Sequence, residues 1–175
     1  MRRCFYSFHY EKDAWRAAQV RNIGVIERSE PLRANEWEKI KRQGESAIER
    51  WIDNQLYGRT CTIVLVGENT ANRKWVMYEV ASSWNRGMGV LGIRIHGLLD
   101  ADGRRSRKGK NPFALHRLSD SSKLNECAEL HDPNGRTSQD TYAIIQENLE
   151  DWVEAAIEVR KDCGNVKVAW YQVWS

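Results

Sequence analysis

The chain is expected to fold as a three-layer, doubly wound α/β domain on a mainly parallel sheet, and three observations carry that expectation. Cys61-Thr62-Ile63-Val64-Leu65-Val66 is an unbroken β-branched and apolar run ended by Gly67, the pattern of a central strand covered on both faces. Strand-like runs alternate with segments of helical period, as βαβ units do. A chain of 175 residues is long enough to bury one sizeable core, so residues 1–175 read as a single domain.

Each element has its own reason. Cys4 to His9 is a short aromatic-rich strand, and Asp13 is placed to cap a helix running through Val20. Gly24-Val25-Ile26 is apolar enough for a second strand. Asn35 is then expected to cap one long helix from Glu36 to Leu56, in which Trp37, Ile40, Ile48, Trp51, Ile52 and Leu56 recur near helical spacing. After the strand at Cys61–Val66 comes a helix from about Asn72 to Arg86, closed by Gly87, and a strand at Val90 to Ile95. The stretch from Asp100 to Lys110 holds five basic residues between turn formers and is expected to be a solvated, mobile loop rather than an anion contact. Pro112 stiffens the backbone beside Asn111, and Phe113 is a plausible anchor in the core. Asp132-Pro133-Asn134-Gly135 reads as a turn, Tyr142 to Ile157 as a final amphipathic helix, and Val166 to Trp174 as an edge strand or packed tail.

Composition narrows the function. With 27 Lys and Arg against 24 Asp and Glu, a net charge of +3 does not point to nucleic acid. Four cysteines without C-x-x-C spacing fit a reducing cytosol, and no apolar stretch reads as a signal peptide or membrane span. No P-loop, dinucleotide fingerprint, nucleophile elbow or zincin motif is present, and the four histidines show no ligand spacing, so no metal is expected. Most of the eight tryptophans sit at periodic apolar positions and are expected in the core.

The carboxylate in Trp75-Val76-Met77-Tyr78-Glu79-Val80 stands apart. Glu79 sits in a mostly apolar helical segment just after the central strand, where ligands of open α/β sheets settle outside the carboxyl ends of the strands. The bland alternative is an exposed Glu on an amphipathic helix. His9 closes the first strand at the same edge, where a hydrogen-bonded structural histidine is the commoner outcome.

Several strings in order resemble a known family. Phe5-Tyr6-Ser7-Phe8, the acidic Asp13 after it, and the W-x-x-x-E pattern from Trp75 to Glu79 resemble a Toll/interleukin-1 receptor (TIR) domain, whose fold is flavodoxin-like. More narrowly, Phe5-Tyr6-Ser7-Phe8-His9-Tyr10, Val20-Arg21-Asn22, Asn72 through Glu79, and Lys110-Asn111-Pro112-Phe113 are similar to the TIR-like ThsB proteins of the bacterial Thoeris antiphage system. The resemblance spans residues 4 to 113. It implies an NAD-cleaving enzyme of TIR type that makes a cyclic or conjugated ADP-ribose signal, with NAD as substrate and no cofactor. It also implies a separate, ThsA-like effector protein reached through that nucleotide, and a cytoplasmic setting with neither membrane nor nucleic acid as partner. Glu79 would be the catalytic centre. Trp75 would shield it, Phe8 and His9 would flank the nucleotide, Ser7 would contribute a hydroxyl or pack structurally, and Asn111 would hydrogen-bond the nicotinamide side or the ribose. No R-D-x-x-P-G loop follows the first helix, so adaptor-style association is not expected, and any homo-oligomer would use another surface. A non-catalytic interaction module and a ribosyl-transferring nucleotide-modifying enzyme remain the rival readings.

Overall fold

The computed structural model describes residues 1–27 and 34–169, the side chains of Ala34 and Asn35 excepted. Its elements are β1 (Cys4–Phe8), α1 (Tyr10–Arg21), α2 (Ala34–Lys41), α3 (Glu45–Leu56), β2 (Cys61–Val66), α4 (Lys74–Asn85), β3 (Gly89–Arg94), β4 (Leu130–His131) and α5 (Ser138–Asp162). Two short 3-10 turns, Pro112–Leu115 and Leu124–Glu126, lie between β3 and β4. The four strands form one parallel sheet in the order β1-β2-β3-β4, with Ser7 opposite Val64 and Val64 opposite Gly92.

Strand alternation sorts side chains between two helical layers. Cys4, Tyr6, Ile63, Leu65, Leu91 and Ile93 face one way, onto Ala17 and Val20 of α1 and the apolar stripe of α5. That stripe is Ile145, Leu149, Val153 and Ile157, one residue per turn, each worth roughly 1.5–3 kcal/mol when fully buried. Val64, Val66 and Val90 face the other way, onto Val76, Val80 and Trp84 of α4 together with Phe113. Phe5 meets Ile48, Ile52 and Leu56 of α3 on that second side. The chain thus leaves β1 into a helix on one face and, beyond Glu27, resumes in helices on the other, which gives the expected three-layer, doubly wound fold.

Some expectations need correction. Gly24-Val25-Ile26 forms no strand: Ile26 drops into the core, and the backbone touches the start of β1 through Glu27 N–H to the Arg2 carbonyl at 3.0 Å. Asp13 does not cap α1, because His9 does so one turn earlier and leaves Asp13 buried inside the first turn. The long helix is two helices, broken at Gly44, whose φ of +93° suits glycine. Asn35 falls inside α2, and its proposed capping side chain lies outside the described residues. The final helix starts earlier than its apolar spacing indicates, because Thr137 and Asp140 cap each other's backbone N–H. Beyond Lys167 the described tail makes one bridge, Val168 to Leu118, and residues 170–175 lie outside the described residues. Among the described residues no helix is long and apolar enough to cross a membrane.

Candidate active site

Ser7 lies on β1 on the same side of the sheet as Phe5, facing α4. The loop before α4 is tightly turned: Gly67 N–H donates to Thr70 Oγ1 at 2.9 Å, and Arg73 N–H donates to the Thr70 carbonyl at 3.1 Å. This short connection brings the second turn of α4 over β1, where Ser7 Oγ donates a hydrogen bond to Glu79 Oε2. The Glu79 carbonyl in turn accepts from Ser83 Oγ at 2.6 Å, and Ser83 meets Thr62 Oγ1 at 2.6 Å, so hydroxyls tie the helix to the strands beneath it. Burial pushes the Glu79 carboxyl up to about 8, and the Ser7 hydroxyl offsets part of that rise.

Glu79 opens on a cavity of about 500 Å³, a size typical of small-molecule sites. One part of its wall is aromatic, with Phe8, Tyr10, Trp37, Trp51 and Trp75. Another part is cationic. Arg21 lies over the Phe8 ring at 5.7 Å, Lys41 over Trp37 at 5.7 Å, and Lys74 over Trp75 at 5.2 Å, while Arg73 stands at the helix start. Flat apolar faces beside positive charge suit a ligand that joins planar rings to phosphates.

His9 is 5% exposed and lines the same cavity. Its Nδ1 accepts the Lys12 N–H at 3.3 Å as the cap of α1, which assigns the proton of the neutral ring to Nε2. Nε2 is buried with no partner among the described residues. Burial and then the Arg73 charge lower the His9 pKa, so the ring stays neutral at pH 7 and offers a donor. Asp13 lies nearby under the end of β2, held by Arg16 at 3.3 Å, with its other oxygen unpartnered among the described residues. A methyl group on Gly67 would fall 2.1 Å from that oxygen, so only a residue without Cβ lets β2 end against Asp13. Burial raises the Asp13 pKa, and Arg16 opposes the rise.

The structure therefore gathers Ser7, Phe8, His9, Trp75 and Glu79 around one cavity or against its carboxylate. Asn111 is not among the residues that line it. Its side-chain oxygen accepts the Phe113 N–H at 2.9 Å and caps the 3-10 turn that follows. That turn buttresses α4 from behind, since His116 Nε2 pairs with the Met77 carbonyl at 3.1 Å. Sequence reading gave no role to Arg21, Lys41, Arg73 and Lys74, although Arg21, Arg73 and Lys74 stand inside the strings that carried the resemblance. The signal was available: cations recurring beside aromatic residues around a carboxylate. The tryptophans depart from a simple core role as well, because Trp84 is buried, Trp37, Trp51 and Trp75 reach the cavity, and Trp15 is 59% exposed.

Comparison with known proteins identifies the family. Residues 5–100 match the family described as "Thoeris protein ThsB, TIR-like domain", a match that contains β1 from Phe5 onward, α4 and the residues that line the cavity. The chain is also 36% identical over 117 residues to a Bacillus cereus (strain MSX-D12) protein named "Putative cyclic ADP-D-ribose synthase ThsB1". That similarity covers 64% of this chain and 61% of the relative's length. The chain belongs to the family of TIR-like domains of the Thoeris protein ThsB.

Proposed function

We propose that this protein cleaves NAD at the bond between nicotinamide and ribose and rejoins or releases the ADP-ribose as a signalling nucleotide. The observation that carries the proposal is the Glu79 carboxyl, bound by Ser7 and opening on a cavity with aromatic and cationic walls. When the C1′–N bond breaks, its electron pair goes to the nicotinamide nitrogen, and neutral nicotinamide leaves an oxocarbenium-like ribosyl cation. The ionised Glu79 stabilises that cation electrostatically. Capture by a nucleophile of the same molecule, with loss of a proton, gives a cyclic product. Capture by water gives ADP-ribose, and capture by another acceptor gives a conjugate. The name of the Bacillus cereus relative favours the cyclic outcome.

The surrounding residues divide the work. Trp75 and Phe8 exclude water and stack the rings, Arg21, Lys41, Arg73 and Lys74 hold the diphosphate, and His9 Nε2–H donates to a ligand oxygen. Ser7 keeps the Glu79 carboxylate oriented. A cytoplasmic antiphage role, with a separate ThsA-like effector reading the nucleotide, completes the proposal. The test is mass spectrometry of nicotinamide and ADP-ribose products from purified protein and from lysates of phage-infected cells. Wild type should release nicotinamide, and Glu79→Gln should release none. Equal release by both would overturn the mechanism, and NAD binding without release under either condition would favour a non-catalytic module.

A further inference from the structure

A second cavity, of about 440 Å³, lies on the other side of Arg73. The loop after β2 supplies Asn69 and Asn72, and the loop after β3 supplies Arg107, Lys108 and Lys110. The basic loop is exposed, yet it is held in place. Gly109 packs so closely that a methyl group there would fall 2.0 Å from the Gly67 carbonyl oxygen. Arg94 Nε donates to the Gly109 carbonyl at 3.3 Å, and Ser106 N–H donates to the His96 carbonyl at 3.2 Å. The cations are unevenly satisfied. Lys108 pairs with Asp132 and Arg107 faces Glu68 at 4.0 Å, whereas Arg73 and Lys110 have no carboxylate partner among the described residues. Among the described residues no aromatic side chain lines this cavity. Four Arg and Lys side chains and two amides, set against the single carboxylate of Glu68 in the same lining, suit a small polyanion rather than a base.

We propose that this cavity is a second site, for a phosphate or diphosphate group, and that Arg73, which lines both cavities, reports its occupation to the Glu79 cavity. Anion binding here does not require NAD cleavage, although Arg73 is shared with the diphosphate contact proposed above. Arg73 is well placed to carry the message. Its charge helps hold the His9 pKa below the ordinary value, after burial and against the opposing pull of Asp13 and Glu11. An anion seated on Arg73 screens that charge, so the His9 ring titrates at higher pH when the second site is filled.

Calorimetric titration with inorganic pyrophosphate tests the site. Wild type and Glu79→Gln should bind it equally, and the double variant Arg107→Gln with Lys110→Gln should bind about tenfold or more weakly, with its melting temperature unchanged. The charge-keeping pair Arg107→Lys with Lys110→Arg should retain most of the affinity. By NMR, saturating pyrophosphate should raise the His9 pKa in wild type and leave it unmoved in the double Gln variant. Equal affinity in wild type and the double Gln variant, or no binding in either, would overturn the proposal. Repeating the titration with ADP-ribose present separates the sources: an affinity lowered to a limiting value as ADP-ribose rises supports two sites that share Arg73, whereas unchanged affinity, or competition without limit from one diphosphate spanning both cavities, would overturn the proposal.

Discussion

At the scale of single residues, Glu79 ties function and stability together with opposite signs. Its pKa, raised to about 8, means that the native state holds this proton more tightly than the unfolded chain does. The folding penalty is absent below the ordinary carboxylate pKa, grows as pH rises from there, and is complete once pH passes about 8. Glu79→Gln removes it, so that variant should lose product formation yet gain about 1–3 kcal/mol of stability at pH 9, measured by denaturant titration. The same ionisation governs rate. Wild-type kcat/KM for NAD should climb with pH to a plateau above an apparent pKa near 8, and Ser7→Ala should move that midpoint upward, because the hydroxyl favours the ionised form. A flat profile through that range would separate Glu79 from the chemistry. Glu79 was legible because a carboxylate in an apolar helical string needs a reason, and Phe8 and His9 because they close a strand at the ligand edge. Asn111 shows the limit of such reading. An Asn before Pro and Phe serves equally as a ligand contact or a cap, and the local backbone N–H claimed its side-chain oxygen. Asn111→Ala should therefore cost about 1 kcal/mol in folding while leaving KM for NAD within about twofold of wild type.

At the scale of elements, the break at Gly44 decides the shape of the cavity. Apolar period ran almost unbroken from Trp37 to Leu56, so sequence alone read one helix, and a single helix would hold Trp37 and Trp51 about 21 Å apart along its axis. Instead their ring centroids lie 5.9 Å apart, because α2 folds back on α3 and both indoles reach the cavity. The sign of φ at one glycine made that difference, and a hydrophobic pattern carries no such information. Gly44→Ala should cost about 1–2 kcal/mol, since alanine is strained in that conformation, and should raise KM for NAD severalfold more than it lowers kcat. Thermal melts with steady-state kinetics would check both halves. The absent strand at Gly24–Ile26 has a related cause: three apolar residues suffice to fill a core position, but a ladder also needs a register and a neighbour. By contrast β2 was read to the residue, because a strand buried on both faces shows as one unbroken β-branched and apolar run.

Across the whole molecule, the site and a main structural clamp occupy different regions. Arg160 of α5 is 4% exposed, donates from Nε to the Trp84 carbonyl at 3.0 Å and from Nη1 to the Gly164 carbonyl at 2.6 Å, and lies over the Trp84 ring at 4.5 Å. It fastens the end of α5 to the end of α4 around the sheet, well along α4 from Glu79. Arg160→Met should remove about 2–4 kcal/mol of stability by stranding buried carbonyls, with the kcat of protein that remains folded unchanged. Combined melting and activity measurements distinguish this from an effect on the site. The order of layers was legible from the alternation of strand and helix, whereas this clamp joins residues 76 positions apart that no local pattern connects. The aromatic wall carries one more consequence. Trp37, Trp51 and Trp75 border the cavity, whereas Trp15 and Trp84 lie away from it, so a planar ring stacking inside should quench part of the intrinsic emission and leave the rest as an internal reference. The protein is thus its own fluorometer, and ligand entry can be timed in a stopped-flow cell without a label, apart from any chemistry that follows.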